Sequence, residues 1–179
     1  VRVDVVQLHV SALDKAGHFV KGLSKDDFAV KEDGKAETVT GFEVAENMPL
    51  NIGLVVDASG SMEKGMPFVH DAAAELFKTL MRDKDHGFVV EFRDRPRFLQ
   101  ELTSDSNALQ RAARDVKAEG ATALYDAMVL GLYQFRTLQG RRALIVVTDG
   151  DDNRSHVEYE TLLRYARSAG APIYFIAVN

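Results

Sequence analysis

The chain has 179 residues, 46% hydrophobic and 27% charged, enough to bury the core of one ordinary domain plus a small attachment. A formal net charge of −5 and a pI near 5.5 argue against nucleic acid or an anionic membrane as the main partner, and no stretch approaches the roughly 20 apolar residues that span a bilayer. The absence of cysteine excludes disulfides, zinc–cysteine sites and thiol catalysis.

Residues 1–47 read as a small β-rich unit. Val1, Val3 and Val5 share one parity while Val6, Leu8 and Val10 share the other, which predicts a strand with a bulge or face switch near Val5–Val6. Asp14-Lys15-Ala16-Gly17 reads as a turn, His18 to Val20 as a short strand, and Ser24 as the N-cap of a brief helical turn over Lys25 to Phe28. A hairpin is expected from Ala29 to Glu32, the Asp33-Gly34 turn, and Ala36 to Val44. The acidic residues Asp26, Asp27, Glu32 and Asp33 converge on no single point and read as a solvated rim.

Residues 48–179 alternate between strand and helix, which predicts an α/β domain: a doubly wound, mostly parallel sheet flanked by helices. The apolar run Ile52 to Val56 is its first strand. In the helix that follows, Val69, Ala72, Ala73, Leu76, Phe77 and Leu80 fall on one face. Gly87 to Phe92 and Pro96 to Leu99 form a hairpin across Arg93-Asp94-Arg95, giving one antiparallel edge strand with Arg93, Arg95 and Arg97 on an exposed face. Asp105 or Ser106 caps a helix running to Lys117. Further helices cover Leu124 to Arg136 and Glu158 to Ala169, the latter stopped by Gly170, and a strand from Ile173 to Val178 ends the chain.

The chemistry concentrates at the loops behind the apolar strands. Asp57-Ala58-Ser59-Gly60-Ser61 puts one carboxylate and two hydroxyls at alternate positions where the first strand empties, so that all can turn towards one point. Oxygen ligands of this kind suit a hard divalent cation. Gly120-Ala121-Thr122 offers another hydroxyl ahead of a helix, and the strand Leu144 to Thr148 runs into a second carboxylate, Asp149. In an open parallel sheet ligands bind outside the carboxyl ends of the strands, near the reversal of strand order, and Asp57 and Asp149 both occupy that edge.

These segments, in this order, resemble the metal-ion-dependent adhesion site of von Willebrand factor A-type domains, and the resemblance covers about Pro49 to Asn179. It implies that Ser59 and Ser61 bind the metal directly, that Thr122 does so in a ligand-engaged state, and that Asp57 and Asp149 act mainly through bound water. The wording Asp-Ala-Ser-Gly-Ser-Met and Gly-Ala-Thr-Ala-Leu-Tyr-Asp-Ala is closest to bacterial members, and Val20 to Lys35 followed by Phe42 resembles the segment ahead of the domain in an acidobacterial group. The resemblance implies Mg²⁺ or Mn²⁺ rather than Ca²⁺, a protein partner presenting an Asp or Glu carboxylate, and an extracellular or periplasmic setting. Such domains continue beyond the strand at Ile173 to Val178, so a domain cut at its C-terminal end is expected. The start at Val1 rather than Met likewise suggests a trimmed end.

Other residues have plainer readings. Asp151, Asp152 and Asn153 lack the spacing of an EF-hand loop and read as a solvated rim, with Ser155 as a helix cap. Asp126 is placed to support the metal loop. His9, His18, His70, His86 and His156 show no metal-ligand spacing. Met62, Met66 and Tyr125 suit either an apolar collar for a partner or simple packing. No phosphate-binding glycine fingerprint occurs. The leading expectation is a non-enzymatic, metal-dependent protein-binding or adhesion module. A scaffold whose metal only stabilises loops is the alternative, and a metal-dependent hydrolase is disfavoured because no general base flanks the hydroxyls.

Overall fold

The computed structural model describes residues 8, 10–44 and 48–178. The chain divides into two compact units, Val1–Val44 and Ala45–Asn179.

In the first unit the strand expected over residues 1–10 falls largely outside the described residues, and Leu8 and Val10 belong to no regular element. The Asp14 turn forms: Asp14 accepts the backbone N–H of Ala16 at 2.8 Å and of His18 at 2.9 Å. Among the described residues a single bridge, Leu13–Phe19, flanks it in place of the expected short strand. Ser24 opens a short 3-10 turn, Lys25–Asp27, and donates its backbone N–H to the Asp27 carboxylate at 2.7 Å. Strands β1 (Val30–Glu32) and β2 (Lys35–Glu37) pair antiparallel across Asp33 and Gly34, both at positive φ (48° and 82°), which the sharp two-residue turn demands. β2 stops well short of Val44. Phe42 lies against Phe28 with ring centroids 5.6 Å apart, a contact off the ladder.

The second unit holds a five-stranded sheet ordered β5-β4-β3-β6-β7. Its elements are β3 (Leu50–Asp57), α1 (Met66–Leu80), β4 (His86–Phe92), β5 (Pro96–Thr103), α2 (Ser106–Arg114), α3 (Leu124–Gln134), β6 (Arg141–Thr148), α4 (Tyr159–Ala169) and β7 (Ile173–Ala177). All neighbours are parallel except β4 and β5, the expected antiparallel hairpin. β3 is therefore central, and strand order reverses between it and β6.

Alternate residues of the inner strands feed two cores. Ile52, Leu54, Val56, Val89 and Val147 meet Val69, Phe77 and Leu109 of α1 and α2. Val55, Phe88, Val90, Leu144 and Val146 meet Leu124, Leu132 and Leu162 of α3 and α4. Burial on both faces explains why β3 reads as a continuous apolar run. The crossing of α3 over the sheet is close: a Cβ on Gly131 would sit 2.8 Å from Leu144 Cδ1, so a side chain there would have to displace Leu144.

Two helices depart from expectation. The α1 face buries Met66, Val69, Ala73, Ala74 and Phe77, whereas Ala72 and Leu80 are exposed, because the sheet and α2 cover only part of the stripe. α2 ends at Arg114 rather than Lys117. Val116 turns inward to full burial, and its carbonyl takes a hydrogen bond from the His70 ring at 2.8 Å.

Candidate functional site

β3 delivers Asp57, fully buried, to the carboxyl edge of the sheet. Asp57 Oδ1 accepts the backbone N–H of Ser59 at 2.8 Å, and Oδ2 accepts the hydroxyl of Thr148, the last residue of β6, at 2.5 Å. This doubly held carboxylate fixes the turn out of β3 and ties it to β6. Beyond it the Ser59 and Ser61 hydroxyls stand 3.0 Å apart, and Ser61 donates to Asp149 Oδ1 at 3.0 Å. Asp57, Ser59, Ser61 and Asp149 thus form one cluster at the point where strand order reverses. Ser59 is buried, while Ser61 and Asp149 open to solvent.

Thr122 arrives differently. Its loop is stitched to the serine loop by two backbone bonds, Glu119 N–H to Ala58 O at 2.6 Å and Gly60 N–H to Gly120 O at 3.2 Å. Thr122 is 5% exposed and is gripped through its backbone: its N–H donates to Asn153 Oδ1 at 3.1 Å, and its carbonyl accepts from the N–H groups of Asn153 and Arg154 at 3.0 and 3.2 Å. Among the described residues no hydrogen bond joins its hydroxyl to Asp57, Ser59, Ser61 or Asp149.

The loop after Asp149 proves to be more than a solvated rim. Ala123, at the N-cap of α3, has no side chain able to satisfy the helix's free N–H groups. Asp152 Oδ1 takes the N–H of Tyr125 at 3.2 Å, and Ser155 Oγ takes that of Asp126 at 3.0 Å while donating to Asp152 at 2.5 Å. Ser155 therefore serves α3 rather than capping α4, whose N-cap is Glu158. Asp126 binds back to the same loop, accepting the N–H groups of His156 at 3.0 Å and Val157 at 2.8 Å. Burial opposes its ionisation, but the Val157 and His156 amides and the His156 ring outweigh it and hold the carboxyl below its ordinary value. Asp126 thus supports the loop behind Asp149, rather than the one carrying Thr122.

Met62 and Met66 are core residues, 1% and 5% exposed, and so form no collar; Tyr125 packs against Tyr159 with centroids 5.8 Å apart. Arg93 is not a freely exposed hairpin residue. It is drawn in beside the buried Glu91, whose Oε1 it approaches at 3.3 Å. His18, His70 and His156 each bond within the fold. Among the described residues no cluster of three or more His, Asp or Glu is placed to hold a metal, so a cation here would rely on hydroxyls as well as carboxylates.

A doubly wound, mostly parallel sheet flanked by helices, with hydroxyls and carboxylates gathered where its strand order reverses, defines a Rossmann-like domain. A family model for the von Willebrand factor type A domain matches residues 52–151, and the chain belongs to that family. An uncharacterized protein of Synechocystis sp. is 34% identical over 111 residues, which is 59% of this chain and 26% of that protein, so the chain spans about a quarter of its length. Among solved structures, BatB of Bacteroides thetaiotaomicron aligns with TM-score 0.62 at 19% identity over 72% of this chain and 66% of its own. A von Willebrand factor type A protein from Catenulispora acidiphila gives TM-score 0.61 at 21% identity over 72% of this chain and 32% of its own. The corresponding domain of the type V pili tip protein Mfa5 from Porphyromonas gingivalis gives 0.56 at 16% identity over 63% and 43%. At these identities the structural likeness speaks to the fold alone.

Proposed function

We propose that this domain is a non-enzymatic protein-binding module whose ligand is recruited through a divalent cation, Mg²⁺ or Mn²⁺, held at Asp57, Ser59, Ser61, Thr122 and Asp149. The observation that carries the reading is Asp57. It is a carboxylate with no solvent exposure whose partners are a hydroxyl and an amide, and among the described residues no Lys, Arg or His pairs with it. Burying a charge without a counter-charge is costly, and a cation beside it offsets that cost.

The donor set fits such an ion. Hard divalent cations take oxygen ligands, and neutral hydroxyls leave the ion with much of its charge. When bound, the cation supplies an electrophilic position for an anionic oxygen, most simply an Asp or Glu carboxylate of a partner. The chain's own residues orient that event. Thr148 and the Ser59 amide immobilise Asp57, Asp149 orients Ser61, and Asn153 sets the height of the Thr122 loop. Loop stiffening as the metal's sole role is disfavoured, since backbone bonds from Gly60 and Glu119 already join the loops. That the similar structures include a pilus tip protein suits an adhesive, surface-exposed role outside the cytoplasm, and among the described residues no helix is long and apolar enough to cross a membrane.

Thermal unfolding with EDTA, Mg²⁺, Mn²⁺ and Ca²⁺, for the parent and Ser61→Ala, tests the reading. A metal at about 100 times its dissociation constant stabilises the folded state by about 2.7 kcal/mol. The parent midpoint is expected to rise with Mg²⁺ and Mn²⁺ more than with Ca²⁺, and Ser61→Ala to blunt the rise. Adding a short Asp-containing peptide raises the parent midpoint further only with metal present. A parent indifferent to all three ions sinks the proposal.

A further inference from the structure

The loop over residues 115–123 lacks regular structure yet must hold Thr122 at the sheet edge. One residue outside the candidate site grips it on both sides. The carbonyl of Arg93, just beyond β4, accepts the N–H of Ala123 at 2.8 Å, and its Nη1 meets Glu119 Oε2 at 3.0 Å. These contacts bracket Gly120-Ala121-Thr122. Between them the loop is seated directly on the arginine: Gly120 has φ +92°, and a Cβ there would lie 3.3 Å from Arg93 Cβ and 3.0 Å from Asp94 Oδ2. Arg93 is itself anchored by its other terminal nitrogen, Nη2, 3.3 Å from Oε1 of Glu91, a β4 carboxylate whose side chain is 2% exposed.

Neutralising Glu91 does not account for this arrangement. Arg97 Nε already sits 2.6 Å from the same oxygen. Glu119, 79% exposed, needs no partner in water. Buried ion pairs are poor sources of net stability, and here Glu91 Oε2 and Arg93 Nε are left without hydrogen bonds. What the planar guanidinium does provide is a rigid two-ended brace from the central sheet to the loop, which a lysine, with one charged atom, cannot reproduce.

We propose that Arg93 is a positioning residue: braced on Glu91, it fixes the loop that presents Thr122 and thereby sets the metal affinity of the edge. This rests on the metal reading above.

The test uses the full chain as parent, Arg93→Lys, Glu119→Gln and the charge-neutral pair Glu91→Gln/Arg93→Gln. Mn²⁺ binding is followed by calorimetry, and amide hydrogen exchange at 120–123 is followed in EDTA. Arg93→Lys is expected to weaken Mn²⁺ by about 10-fold, the scale of lost outer-shell partners, and to speed exchange at Ala123 while the β3 amides of Leu54, Val55 and Val56 keep their protection. Glu119→Gln, altered only at the surface, is expected to give a smaller loss in the same direction with the metal-free unfolding midpoint unchanged, and it carries the test if Arg93→Lys folds poorly. The neutral pair should match Arg93→Lys in affinity. Variants that fold and bind Mn²⁺ with the parent's dissociation constant, or whose loop amides exchange as in the parent, overturn the proposal. A parent that gives no Mn²⁺ heat overturns the metal reading instead, and this role of Arg93 with it.

Discussion

Two aspartates of the second unit illustrate opposite uses of a carboxylate. Asp126 is ionised and satisfied, with the Val157 and His156 amides donating to it. Because its folded-state pKa is lowered, its contribution is fully present above the ordinary carboxyl value and is lost as pH falls through the lower folded one. Asp126→Ala should cost about 1.5–3 kcal/mol at neutral pH, the scale of hydrogen bonds to a charged group, and should flatten the acid limb of stability measured by urea unfolding. Asp57 is placed differently: it is buried with one amide and one hydroxyl as partners and no counter-charge among the described residues, a setting in which a neutral amide is the less costly group to bury. Asp57→Asn is therefore expected to raise stability in EDTA by about 1 kcal/mol and to abolish the response to Mg²⁺, a trade common at functional sites. A loss of stability in EDTA would show that Thr148 and Ser59 satisfy the charge by themselves. That Asp57, Ser59 and Ser61 gather at the end of β3 was legible in their close spacing behind an apolar run, but the means was not: the chain leaves the strand at Asp57 and enters a short 3-10 turn, Gly60–Lys64, which carries Ser61 to Asp149. The roles of Asp152, Asn153 and Ser155 were not legible, because their partners lie 27 to 31 residues away and no local pattern marks such a pairing.

At the scale of elements, the same distinction separates what periodicity reveals from what it hides. The strands β3, β4 and β6 announce themselves by apolar runs, α1 by its apolar stripe, α2 by its Asp105 cap, α4 by its Gly170 stop, and the antiparallel turn of β5 by its three-residue link. Boundaries and faces follow tertiary contacts instead. α2 stops short of Val116, which is buried with its carbonyl held by His70, and the buried face of α1 takes in Ala74 while leaving Ala72 exposed. The start of α3 is the clearest case, since its cap is supplied by a different loop. Asp152→Ala should cost about 1 kcal/mol, as for loss of an ordinary N-cap, even though Asp152 is remote in sequence from the helix it serves. Equilibrium urea unfolding measures that cost. Hydrogen exchange locates it, with faster exchange expected at Tyr125 and Asp126 and little change in β3.

On the scale of the whole chain, the two compact units differ in kind. The second unit is built around two apolar clusters on either side of its sheet, with Phe77, Phe88, Phe92 and Phe135 fully buried. Among the described residues of the first unit none is buried, its strands are three residues each, and its aromatic contact joins a half-buried Phe28 to an exposed Phe42. A two-stranded hairpin without a core is marginal in water, whatever the quality of its turn. The Asp33-Gly34 turn and the Ser24–Asp27 bonds define the local conformation of this unit without supplying the apolar burial that resists opening. Stability should accordingly be uneven. Native-state hydrogen exchange is expected to show the β1 and β2 amides opening at little free-energy cost, while those of β3, β4 and β6 exchange only through global unfolding. Divalent metal, if it binds at the edge of β3, should slow the second group and leave the first unchanged, because a ligand protects only the openings that destroy its site. Equal protection in both groups would mean that the chain unfolds as one cooperative body, and the first unit would then owe its order to contacts beyond its own residues.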